Sequence, residues 1–173
     1  MEKIAKIYET KISKEYKKER EAFDISNDKK ILHIGCGAYP ITAMTLAKIN
    51  NAKIVGIDRR PKVIELARSA VKEKNLYTKV TIEQGDGTNY HVEEFDTIII
   101  SGCAFPKQQI LEHIFENAKS HSKIIFRMPG LYSKLVLNRI NLNQDVTLMK
   151  KIENHPFSFI KSFGWRSFYL IKK

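Results

Sequence analysis

The chain has 173 residues, 43% of them hydrophobic and 28% charged, which suits one globular domain with a real core and excludes wholesale disorder. No apolar run approaches the ~20 residues of a membrane helix, and the lysine- and glutamate-rich N-terminus lacks the apolar segment of a signal peptide, so the chain reads as cytoplasmic. Cys36 and Cys103 lie far apart and the five histidines are scattered, so neither a disulfide framework nor a metal site is expected.

The formal charge of +11 is unevenly spread. Residues 1–118 carry 19 basic and 17 acidic side chains, whereas residues 119–173 carry 11 and 2. Such an excess is either the footprint of a polyanionic partner, RNA first, or a lysine-rich composition that keeps the protein soluble.

In chain order, residues 2–23 place Ile4, Ile7, Ile12, Tyr16 and Phe23 on a helical stripe among charges, an amphipathic lead-in helix that sets residues 1–28 apart from a domain over 29–173. It can act as a lid, mediate a dimer or cover one face. Lys30–Ile34 reads as a buried strand, Pro40–Ile49 as a helix, Lys53–Ile57 as a second strand and Pro61–Lys74 as a second helix. Val80–Glu83 and Phe95–Ile100 are the next strands, Pro106–Lys119 a helix, Lys123–Arg127 a fifth strand and Leu131–Leu142 another helix. Val146–Ile152 and Trp165–Lys172 end the chain as two strands with no helical pattern between them, hence antiparallel. The alternation predicts an α/β, Rossmann-like doubly wound, mostly parallel seven-stranded sheet with a C-terminal antiparallel pair.

Three strand ends carry the chemistry. The first runs into Gly35-Cys36-Gly37, where Gly35 permits a sharp reversal and Gly37 lets a ligand lie on bare backbone. Asp58 ends the second strand, placed to accept bonds from both ribose hydroxyls, with Arg59 beside it. Gly85-Asp86-Gly87 follows the third, where the acid can accept from an adenine amine. Together they describe one adenosine. A dinucleotide needs a third glycine for its pyrophosphate, and Pro40 stands there instead, so a phosphate-free nucleoside such as S-adenosylmethionine fits best.

At these residues the chain resembles the class I S-adenosylmethionine-dependent methyltransferases over about residues 30 to 173. The resemblance implies Gly35 and Gly37 under the methionine part, Asp58 on the ribose and Asp86 near the adenine, with Cys36, Arg59, Gly85 and Gly87 beside them as further cofactor-binding candidates. Ser101 and Gly102 join the cofactor loops at the fourth strand. A narrower likeness joins Gly35-Cys36-Gly37-Ala38-Tyr39-Pro40-Ile41-Thr42, with Arg127 after the fifth strand, to nicotianamine synthases, which transfer the aminobutyrate group rather than the methyl.

Methyl transfer needs placement above all, so the lack of a catalytic triad is no objection. Ser101-Gly102-Cys103-Ala104-Phe105-Pro106 lacks the N/D-P-P-Y/F pattern of exocyclic-amine methylation. Tyr39 and Tyr90 can cover the adenosine or orient an acceptor, or stand half-buried at loop edges, and His91 is similar. Arg127 can bind an acceptor anion or end a solvated strand. Cys103 and Cys36 read as packed thiols, His33 as a core residue with a satisfied ring nitrogen, and the Phe157, Phe159, Phe163, Trp165, Phe168 and Tyr169 cluster as core rather than base-stacking surface. Four readings remain, in this order: a methyltransferase, with RNA favoured as acceptor; a 3-amino-3-carboxypropyl transferase; a non-catalytic S-adenosylmethionine-binding partner subunit; and, last, NAD-dependent redox, which Arg59 and Arg60 beside Asp58 keep open. A homodimer or a partner protein is compatible with each.

Overall fold

The computed structural model describes residues 2–129, 144–154 and 164–173. Its elements run α1 (Glu2–Ala22), β1 (Lys30–Ile34), α2 (Ile41–Ile49), β2 (Lys53–Asp58), α3 (Pro61–Glu73), β3 (Val80–Gln84), β4 (Thr97–Ile100), α4 (Lys107–Asn117), β5 (Lys123–Pro129), β6 (Val146–Asn154) and β7 (Trp165–Lys172). The seven strands form one sheet in the order β3-β2-β1-β4-β5-β7-β6. The first five pair in parallel, while β7 runs antiparallel to both β5 and β6. The predicted helix over Leu131–Leu142 lies outside the described residues, as do Phe157, Phe159 and Phe163.

Alternation along the central strands buries both faces, as a doubly wound sheet requires. Leu32 and Ile34, Ile98 and Ile100, and Ile124 and Phe126 pack with Ile110 and Ile114 of α4. The opposite face sends Ile31, Ile54, Ile99 and Ile125 to Met44 and Leu46 of α2 and to Ile64 and Val71 of α3. Phe168 of β7 joins the first cluster, and Tyr169 packs against the second.

The lead-in helix belongs to this body. Phe23, at the end of α1, and Ile25 are buried in the α2–α3 layer, and Ile12 is buried as well. The Phe23 and Tyr169 rings stack at 4.9 Å, tying the chain's two ends together. Several predicted bounds contract. Pro40 caps α2 instead of opening it, because its carbonyl, not its absent N–H, serves the first turn by accepting from Met44 N at 2.9 Å. Strand β4 begins at Thr97, not Phe95, because Asp96 turns its carboxylate onto the backbone N–H groups of Lys29 and Lys30. Helix α4 spans 107–117 rather than 106–119, with Pro106 as its N-cap.

Candidate functional site

The turn after β1 is tied to the end of β2, since the N–H groups of Gly35 and Cys36 both donate to Ile57 O at 2.9 Å. Gly35 and Gly37 have φ of +74° and +70°, left-handed values that favour glycine. A Cβ on Gly35 would stand 2.9 Å from Ala104 Cβ, so this glycine lets the β4 loop approach. A Cβ on Gly37 would meet nothing within 4 Å. Gly35 serves packing; Gly37 offers an open backbone platform.

Asp58 faces that platform. Its Oδ2 accepts from Gly37 N at 3.3 Å and from Arg60 Nη2 at 3.1 Å, and its Oδ1 from Arg60 N and Nε at 3.2 and 3.0 Å. Burial alone would raise its pKa, but the Arg60 contacts and the Gly37 N–H hold it below the ordinary carboxylate value. Asp86 is partly buried, and its Oδ1 accepts from Thr88 N and Oγ1 at 3.0 and 2.9 Å. The flanking glycines are explained without a ligand: a Cβ on Gly85 would strike the Tyr90 ring at 2.7 Å, and one on Gly87 would strike Ile34 at 2.5 Å.

A cavity of about 1810 Å³ opens beside the Gly37 turn. One wall is α1, which Ser13 joins to α2 by accepting from Thr45 Oγ1 at 2.9 Å. Of the predicted site residues, Gly35, Cys36, Gly37, Tyr39 and Ser101 line it. Asp58 meets it only through Gly37, while Arg59, Gly85, Asp86, Gly87, Gly102 and Tyr90 lie off its lining. Gly102 nevertheless has open space where a Cβ would stand.

Several side chains differ from expectation. Cys103 is exposed and lines the cavity instead of being buried. Cys36 is buried, and its thiol is pushed up to about 12 by burial and the Asp58 charge. His33 Nε2 meets Ser101 Oγ at 2.7 Å, but its buried Nδ1 has no partner among the described residues, so the ring is only half satisfied. Burial, with Arg127 acting the same way, brings its pKa down to about 3, so the ring is neutral at physiological pH. Tyr39 is exposed and donates to Glu9 Oε2 of α1 at 2.8 Å. Tyr90 donates to Glu83 Oε2 at 2.7 Å and stacks on His91, off the cavity.

Arg127 is neither a solvated strand end nor a free anion receptor. It is 3% exposed, and its Nε and Nη2 reach Glu19 Oε2 at 3.0 and 2.6 Å. Its Nη1 donates to Thr42 Oγ1 at 2.8 Å, and its guanidinium lies 4.1 Å from the centre of the Tyr16 ring. Glu19 Oε1 also accepts from Asn154 Nδ2 at 3.2 Å, Trp165 Nε1 at 3.1 Å and Ser167 Oγ. Sequence reasoning passed over this network, although Glu19 interrupts the apolar stripe of Ile12, Tyr16 and Phe23, and that was its one visible signal. It also passed over Lys107, a buried amine whose Nζ donates to the carbonyls of Ser101 at 2.9 Å and Ala104 at 3.1 Å. Burial draws its pKa down to about 8, and the two bonds clamp the β4 loop.

The model of the methyltransferase domain family matches residues 25–163, taking in the glycine turn, Asp58 and the six strands β1 to β6. The chain belongs to that family. This methyltransferase domain is 27% identical over 108 residues to a protein named as a methyltransferase, 235L, of Invertebrate iridescent virus 6, over 60% of this chain and 38% of the viral one. Among solved structures, a mutant of MtNAS in complex with S-adenosylmethionine superposes with a TM-score of 0.76 at 18% identity, covering 95% of this chain and 63% of that one. TrmN from Thermus thermophilus gives 0.73 at 16% identity over 91% of this chain and 48% of its own. An RNA methyltransferase from Salinibacter ruber in complex with S-adenosyl-L-homocysteine gives 0.65 at 16% over 91% and 88%. These likenesses establish the fold. The chain spans little more than a third of the viral relative's length and under two thirds of MtNAS.

Proposed function

We propose that this methyltransferase domain binds S-adenosylmethionine over the Gly37 turn and transfers its methyl group to an acceptor in the neighbouring cavity. The observation that carries the reading is the pairing of Gly37's open backbone with the Asp58 carboxylate 3.3 Å from its N–H. A carboxylate at that N–H repels phosphate, and Pro40, capping α2, brings no N–H of its own. The donor set therefore suits a nucleoside without phosphates, and the solved relatives bound to S-adenosylmethionine and S-adenosyl-L-homocysteine support it.

When bound, the sulfonium supplies an already activated methyl group. The chain's own residues then bind and orient. Asp58 exchanges the flexible Arg60 contact for the ribose hydroxyls, and Asp86 keeps an oxygen for the adenine amine. Gly35, Cys36, Ser101 and Gly102 shape the methionine end, and Gly85 and Gly87 hold the Asp86 turn by packing. His33, neutral above about pH 4, presents an acceptor or a donor at Nδ1 but no charge. Lys107 fixes the loop carrying Ser101 and Cys103.

A second reading, 3-amino-3-carboxypropyl transfer, is favoured by one observation. Thr42 and Arg127, two residues of the nicotianamine synthase-like pattern, are joined by a 2.8 Å hydrogen bond. The by-product separates the two readings: S-adenosyl-L-homocysteine for methyl transfer, methylthioadenosine for the alternative.

Calorimetric titration of S-adenosyl-L-homocysteine into wild type and Asp58→Ala tests the cofactor site. Loss of a charge-assisted ribose contact should weaken binding about ten- to a hundredfold. Equal affinity in the two proteins rules out Asp58 as a ligand.

A further inference from the structure

The geometry points to a small anionic acceptor, carrying phosphate or carboxylate groups, held in the cavity between α1 and α2 by lysines of both helices. This names the acceptor class for the transfer proposed above and rests on that reading. Lys6, Ser13 and Lys17 recur at seven- and four-residue steps, so they share one face of α1. Ser13's bond to Thr45 turns that face toward α2, where Lys48 lies one turn beyond Thr45. Lys11, Lys14 and Lys74 complete six lysines on the cavity lining, against two acids, Glu9 and Glu73. Glu9 is engaged by the Tyr39 hydroxyl, and Glu73 stands 4.0 Å from Lys74. Buried Thr42 and Thr45 and the half-satisfied His33 provide polar groups deeper in. A cleft lined by one sign of charge between low-dielectric walls concentrates ions of the other sign.

The C-terminal third, the other candidate surface for a polyanion such as RNA, shares several of its charges with carboxylates. Five of its eleven basic side chains are spent internally: Lys119 on Asp96, Lys123 on Asp28, Arg127 on Glu19, Arg166 on Glu153 and Lys172 on Asp145. The lysines of the cavity sit instead in a segment whose summed charge is close to neutral.

Protein saturated with S-adenosyl-L-homocysteine is titrated with sodium tripolyphosphate, with sodium citrate and with a 20-nucleotide RNA, at low and at 0.3 M salt. The variants are Lys17→Glu/Lys48→Glu in the cavity and Lys150→Glu/Lys151→Glu on exposed β6. The expected result is salt-sensitive binding of tripolyphosphate or citrate, weakened about tenfold or more by the cavity pair and unchanged by the β6 pair. Which anion binds separates a phosphate-bearing from a carboxylate-bearing acceptor. Binding of neither anion, equal loss in both variants, or RNA binding that the β6 pair abolishes overturns the proposal. If the glutamate pair fails to fold, Lys17→Gln/Lys48→Gln replaces it with the same criteria. S-adenosyl-L-homocysteine binding should be equal in all these proteins, so a failed cofactor site, seen with wild type and Asp58→Ala, is told apart from a failed acceptor site.

Discussion

Asp58 is 6% exposed, and a carboxylate so placed would ordinarily resist ionisation; Arg60, itself largely exposed, reverses that. Arg60 thus has two opposed effects on a ribose: it keeps the acid charged, and it occupies the oxygens the hydroxyls need. Arg60→Ala should leave affinity for S-adenosyl-L-homocysteine unchanged or slightly tighter at pH 7. As pH falls, Asp58 in the variant protonates at a higher pH than in wild type, because its lowered pKa depends on Arg60. Titrations carried downward from pH 7 should show the variant losing affinity first, and superimposable profiles would show that Arg60 is not what keeps Asp58 charged. Gly37 and Asp58 were legible in the sequence because both lie at strand ends, where register alone sets position. Cys103 was not, since exposure of a loop thiol depends on how the β4 loop lies over β1, whereas His33 was read as a core residue with one satisfied ring nitrogen, as its bond to Ser101 bears out. Gly85 and Gly87 show the limit of reading glycines: the Tyr90 ring and Ile34 account for both.

At the scale of elements, the parallel strands were legible nearly to their bounds because apolar residues run continuously through them. The docking of α1 was not legible. Glu19 finds Arg127, Asn154, Trp165 and Ser167 more than a hundred positions away, and no local pattern announces that. The carboxylate and guanidinium are both nearly sealed from water, so removing one charge strands the other. Glu19→Gln should lower unfolding free energy by about 3–5 kcal/mol in urea titrations. Lys30–Glu94, exposed on both sides, provides the comparison: Glu94→Gln should change stability by about 1 kcal/mol or less. Similar losses in the two variants would show that α1 is held by its apolar contacts, not by the ion pair. Because Arg127 also grips Thr42 at the start of α2, the pair links the cavity's two helical walls to the sheet.

For the whole molecule, net charge summed along the sequence does not say which charges meet. Folding pairs Lys119 and Lys123 of the basic C-terminal third with Asp96 and Asp28 and leaves α1's lysines along the cavity. The fold was legible because strand–helix alternation is a global pattern; the charge map was not, because it exists only once distant segments pair. No helix among the described residues is long and apolar enough to cross a membrane. A ligand that binds only the folded state stabilises it by about 2.7 kcal/mol at a hundred times its Kd. For a domain of this length that is roughly 5–10 °C in Tm. S-adenosyl-L-homocysteine should produce such a rise in wild type and about half of it or less in Asp58→Ala at the same ligand concentration, measured by calorimetric melting. NAD should produce none at the same concentration, because its pyrophosphate would have to lie where Asp58 faces the Gly37 N–H and where Pro40 brings no N–H to the start of α2. A larger rise with NAD than with S-adenosyl-L-homocysteine would instead mean that the turn accepts phosphate despite the carboxylate, and the phosphate-free nucleoside would have to be abandoned.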